Sequence, residues 1–84
     1  MQIIDIKIEI LLDRKELLGV AYSMEQNPIY KDCNAYSIIN NAVENIKDNN
    51  SITVSNISLF HIIHALKNSN VDDNILLASK LEQI

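Results

Sequence analysis

The sequence predicts an α+β fold of order β-α-α-β-α-α: a small two-stranded antiparallel sheet covered by four helices, with the strand-helix-helix unit used twice. Three observations carry this. Residues 3–12 alternate, with Ile4, Ile6, Ile8, Ile10 and Leu12 on one parity and Asp5, Lys7 and Glu9 on the other. Successive side chains of a strand point to opposite faces, so one face is apolar and the other charged. A helix-start signal follows each strand at once. Finally, sliding the second half back by 42 positions lays apolar residues on apolar residues.

The first helix is expected over Arg14–Glu25. Asp13 can accept a bond from a free N–H of the first turn and Glu16 can reach back, a capping box. Leu17, Val20, Ala21 and Met24 form its inward stripe, and Asn27-Pro28 stops it, because the residue before proline avoids the helical region. A loop over Gln26–Lys31 leads to a second helix over Asp32–Lys47, with Ala35, Ile39, Ala42, Val43 and Ile46 inward. Asp48-Asn49-Asn50 reads as a turn and Ser51–Ser55 as the second, shorter strand. The third helix, Asn56–Asn68, starts from a Ser55 cap and buries Leu59, Ile62, Ile63 and Leu66. The fourth begins at Asp72-Asp73, which capping explains, and turns Leu77, Leu81 and Ile84 inward.

At the offset of 42, Ile52 falls on Ile10, Val54 on Leu12 and Ser55 on Asp13, while Leu59, Ile62, Ile63 and Leu66 fall on Leu17, Val20, Ala21 and Met24. After a loop shorter by four, Leu76, Leu77, Leu81, Glu82 and Ile84 meet Ile38, Ile39, Val43, Glu44 and Ile46. The expectation is one domain over 1–84, with repeats over 3–47 and 51–84. If the first strand runs up, its two helices go down and up, so the second strand runs antiparallel to the first. Two strands under four helices is the minimal two-layer solution. The first strand is about twice as long as the second, so its far half should lie unpaired at a sheet edge, a template for another chain.

Composition narrows the function. The 84 residues are 48% hydrophobic, enough for one thin core, and carry a net charge of −4. The seven basic residues are scattered, which disfavours direct binding of nucleic acid. No apolar run is long enough to span a membrane, and Asp5, Lys7 and Glu9 interrupt any signal sequence, so a cytoplasmic address is expected. Cys33 is the only cysteine, which suits a reducing compartment. One glycine excludes the familiar phosphate-cradling loops, and no cofactor is expected.

No cluster of catalytic side chains is legible. Cys33 would need a base, and the only histidines are His61 and His64. The three could offer zinc ligands, but closed zinc sites use tighter paired motifs. At helical spacing His61 points to solvent and His64 lies beside Phe60 on the flank of the apolar stripe, so an enzyme or a metal site is not expected. Gly19 stands mid-helix facing away from the core stripe, where it costs ~1 kcal/mol relative to Ala. Drift on a tolerant surface would explain it, and so would close approach by another chain. In the same helix Leu18 and Tyr22 form an i, i+4 pair on the flank, matched by Phe60 and His64 in the second half. These flanks either pack against the following helix of each unit or form a contact surface, to which Tyr30 and Tyr36 add aromatic candidates.

The function expected is therefore a non-enzymatic protein-binding module, a small inhibitor or adaptor, with Leu18, Gly19, Tyr22, Tyr30, Tyr36, Phe60 and His64 as its contact candidates. A homodimer through the first strand's edge or the helix flank is a further expectation. The alternative is a binding protein that sequesters a small molecule in a groove between helices or at a dimer seam. In general character, small, acidic and rich in Ile and Asn, the chain resembles short accessory proteins of phages and mobile elements.

Overall fold

The computed structural model describes residues 6–83. Strand β1 (Lys7–Asp13) leads into helix α1 (Arg14–Glu25), a short 3-10 turn (Pro28–Tyr30) and helix α2 (Asn34–Glu44); strand β2 (Asn49–Ser55) is followed by helices α3 (Asn56–Lys67) and α4 (Asp72–Leu81). The fold is α+β, with a two-stranded antiparallel sheet and four helices, as predicted. No helix among the described residues is long and apolar enough to cross a membrane.

The two strand-to-helix junctions are set locally. Asp13 ends β1 and caps α1: its Oδ1 accepts from Glu16 N at 2.7 Å, and Glu16 Oε1 accepts from Asp13 N at 2.9 Å. Ser55 does the same for α3, its Oγ accepting from Ser58 N at 3.0 Å. Each strand therefore turns into its helix without a loop residue. Ile10, Leu12, Ile52 and Val54 on the inner face of the sheet meet Leu17, Val20 and Met24 of α1 and Leu59, Ile62 and Leu66 of α3 in one buried cluster. Each such side chain, fully buried, stabilises the fold by about 1.5–3 kcal/mol before the entropy of ordering it is counted. Leu77 and Leu81 of α4 also point inward; the corresponding expectation for Ile84 lies outside the described residues.

Three boundaries between α1 and β2 differ by two residues or more from the sequence reading. Helix α2 starts at Asn34, because the backbone N–H groups of Lys31 and Cys33 are taken by the carbonyls of Pro28 and Tyr30 in the preceding turns. It ends at Glu44, because the Asn50 side chain holds both Lys47 N–H (2.9 Å) and Lys47 C=O (3.0 Å) and turns the chain there. Strand β2 consequently begins at Asn49, inside the predicted turn. The two strands are then equal in length, and every residue of Lys7–Asp13 has a partner in Asn49–Ser55, from Lys7↔Ser55 to Asp13↔Asn49. Ile6 is also tied, its C=O accepting from Asn56 N at 2.9 Å. An unmatched half of β1 is thus absent from the described residues; residues 3–5 of the predicted strand lie outside them. Asp72 and Asp73 lie in the first turn of α4, with Val71 at the N-cap and no side-chain cap. They favour the helix through its dipole rather than by capping it.

Candidate functional site

Helix α1 touches α2, α3 and α4, so more of its surface is covered than its apolar stripe alone requires. Helix α4 passes it at Gly19. A Cβ built on Gly19 would stand 2.5 Å from Asn74 Oδ1, which explains the glycine through the chain's own fourth helix rather than through another chain. The contact is polar and satisfied. Ser23 Oγ donates to Gly19 O at 2.8 Å and accepts from Asn74 Nδ2 at 3.0 Å, with Ser23 and Asn74 both buried. Sequence reasoning missed this pair. The legible signal was two small residues four apart, Gly19 and Ser23, on one side of α1, which lets another helix approach closely.

Gly19→Ala is expected to destabilise the fold by about 1 kcal/mol even though alanine is the better helix former. The gain of ~1 kcal/mol in propensity is outweighed by displacing Asn74 and breaking its buried bond, at about 1–3 kcal/mol. In an Asn74→Ala background the sign reverses and Gly19→Ala stabilises. Urea denaturation of the four variants in this cycle checks it; the same loss in both backgrounds would show that Asn74 is not the cause.

Alongside this contact a groove of about 510 Å³ opens between α1 and α4. Gly19 and Asn74 contribute to its lining, with Leu18 and Tyr22 from α1 and Val71, Leu76 and Leu77 from the α4 side. Leu18, Tyr22 and Leu76 are 47%, 51% and 68% exposed. Two ion pairs join α1 to α4 at the groove, Lys15 Nζ–Asp73 Oδ2 and Lys80 Nζ–Glu16 Oε2, each at 3.4 Å. They are solvent-exposed and weak individually, but they neutralise the charged rim within the chain. Of the contact candidates, Leu18, Gly19 and Tyr22 thus converge on one concave surface, joined by Val71, Asn74 and Leu76.

The remaining candidates lie elsewhere. Phe60 and His64 are exposed on α3 with ring centroids 5.1 Å apart. Tyr30 is buried: its hydroxyl lies 3.4 Å from His64 Nδ1 and its ring centroid 6.4 Å from that of His61, so it presents no surface anchor. His61 is half-buried against it rather than turned to solvent, because the 3-10 turn folds back over α3. Tyr36 is half-buried against the core. Cys33 Sγ lies 3.8 Å from Ile29 O, at the start of α2. Among the described residues no group of three or more His, Cys, Asp or Glu side chains is placed to hold a metal ion. No protein-family model, no curated protein and no solved structure matches the chain.

Proposed function

We propose that this chain is a non-enzymatic protein-binding module, an inhibitor or adaptor, that receives an aromatic side chain of a larger protein in the α1–α4 groove. The observation that carries the reading is the contrast between two corresponding places in the fold. Lys7–Asp13 and Asn49–Ser55, and Arg14–Glu25 and Asn56–Lys67, have bounds that coincide at the offset of 42. Ile10 pairs with Ile52, its own counterpart. Both facts support a strand-helix-helix unit used twice about an approximate two-fold axis through that pair.

At this offset Gly19 and Tyr22 correspond to His61 and His64. Tyr30 is buried beside α3, its ring against His61 and its hydroxyl 3.4 Å from His64 Nδ1. The connection that carries Tyr30 spans residues 26–33, whereas the one between α3 and α4 spans only 68–71. The groove beside α1 therefore has no internal counterpart of Tyr30, although the outer positions are alike in both places: Leu18 and Tyr22 are exposed, and so are Phe60 and His64. An aromatic side chain from a partner would lie there as Tyr30 lies in the filled place, and buried aromatic anchors commonly dominate interface energies. Because the rim is neutralised internally, binding should depend weakly on ionic strength.

The volume of the groove also falls in the range of small-molecule sites, which supports the second reading, sequestration of an apolar small molecule. The two are separated by affinity capture from the cell that encodes the chain, using wild type, Leu18→Asp/Leu76→Asp and the control Phe60→Asp. All three positions are exposed, so stability should change by less than about 1 kcal/mol. A protein retained by wild type and Phe60→Asp but lost from the double variant is the expected result. A protein retained by all three would remove the groove as its docking site. Saturable thermal stabilisation by a small apolar compound, abolished by the double variant and without a captured protein, would favour sequestration.

A further inference from the structure

We infer that two copies of this chain pair through the outer edges of β1, antiparallel and with Lys7 opposite Glu9 of the other copy, to make one four-stranded sheet. The bond from Asn56 N to Ile6 O fixes the phase of the sheet. In an antiparallel pair, residues alternate between those that exchange hydrogen bonds with the partner strand and those whose N–H and C=O point away. Ile6↔Asn56 is of the first kind, so Ile8, Ile10 and Leu12 bond to β2 while Lys7, Glu9, Leu11 and Asp13 present their backbone groups to the opposite side. Among the described residues no segment bonds to the backbone of Lys7, Glu9 or Leu11 on that side. The main neighbours of β1 are β2, α1 and α3, whereas β2 is additionally flanked by α2. The β1 edge is therefore open and has fewer neighbouring elements than that of β2, and such edges pair with other strands unless something opposes it.

Charge selects both the occupant and the register. Two copies related by a two-fold axis pair β1 with β1 antiparallel, and the outward backbone groups restrict the match to odd residues. Lys7 opposite Lys7, or Glu9 opposite Glu9, sets like charges face to face and is disfavoured. Lys7 opposite Asp13 requires the Asp13 N–H, which Glu16 Oε1 already holds at 2.9 Å. Among the registers that pair charged residues of the described strand, Lys7 opposite Glu9 remains, and the symmetry makes this favourable pair twice. The same register sets Ile8 against Ile8 of the other copy on the inner face and brings Ile6, 54% exposed, opposite Ile10.

The test is the sedimentation mass of the full chain over a dilution series, with Lys7→Glu, Glu9→Lys and the double exchange. Lys7 and Glu9 are exposed, so neither single variant endangers the fold. Wild type should dimerise, each single variant should raise the dissociation constant about tenfold or more, and the double exchange should recover most of that loss. Ile8→Cys in a Cys33→Ser background should form a disulfide-linked dimer in air, since facing residues in such a pair have Cα atoms about 4.5 Å apart. A wild type that is monomeric at every concentration, a dimer indifferent to Lys7→Glu, or a double exchange no better than the single variants would each overturn the inference. None of these variants touches Leu18, Tyr22 or Leu76, so the outcome is separable from that of the groove.

Discussion

Ile62→Ala should lower stability by about 2–5 kcal/mol, the range for removing a large aliphatic side chain from a packed site. Ile62 is fully buried at the middle of α3, and α3, like α1, touches both strands and all three other helices. The cavity left behind can close only if several elements move together, which favours the upper part of the range. A domain of this length has a total stability of about 4–13 kcal/mol, so the variant loses a large fraction of it. Its melting temperature should fall by about 10–20 °C or more. Phe60, two residues away on the same helix, is 59% exposed, and Phe60→Ala should stay within about 0.5 kcal/mol of wild type. Equilibrium denaturation of the two variants measures the difference directly. Equal losses would mean that α3 is packed on a different face.

The parts of the fold legible in the sequence are those set within a few residues. The alternation around Ile8, Ile10 and Leu12, the Asp13/Glu16 capping box and the Ser55 cap all act over at most four positions, and each appears in the fold with the predicted bounds of α1. Both ends of α2 moved through polar bonds between residues three apart, which leave no hydrophobic period, whereas the start of β2 depends on partners distant in sequence. Asn49 and Asn50 have low strand propensity, yet pairing with Asp13 and Leu12 makes them strand. The site was half legible for the same reason. Leu18 and Tyr22 were visible as an i, i+4 pair, but the wall they face belongs to α4, more than fifty residues on. His61 fell on the solvent side of an idealised helix because Tyr30, which covers it, arrives from a 3-10 turn that had read as loop. Buried polar contacts such as Ser23–Asn74 leave no hydrophobic period to detect.

Asn50 carries the second large effect. Its side chain is buried and makes three bonds: Oδ1 accepts from Lys47 N at 2.9 Å, and Nδ2 donates to Lys47 O at 3.0 Å and Leu12 O at 3.1 Å. Asn50→Ala removes all three and leaves backbone groups without those partners at the junction of α2 and β2, a loss of about 2–4 kcal/mol. Asn50→Asp keeps the acceptor but turns an oxygen toward two carbonyls. Burial and those carbonyls raise the carboxyl's pKa in the folded state above its unfolded value. The Asp variant is therefore least stable, relative to wild type, above the folded-state pKa and recovers part of the difference as pH falls through it. Chemical denaturation of wild type, Ala and Asp variants at neutral and mildly acid pH checks the order; no recovery of the Asp variant on acidification would show that Asn50 is not acting as a donor. The damage should stay at one end of the sheet. Asn50 and Asn49 face Leu12 and Asp13, whereas Lys7 and Glu9 lie toward the other end, secured by the Asn56–Ile6 bond. An Asn50→Ala protein that remains folded should thus be weakened in stability while keeping the dependence of its self-association on Lys7 and Glu9. That separates the residue that fixes where the sheet begins from the residues on its open edge.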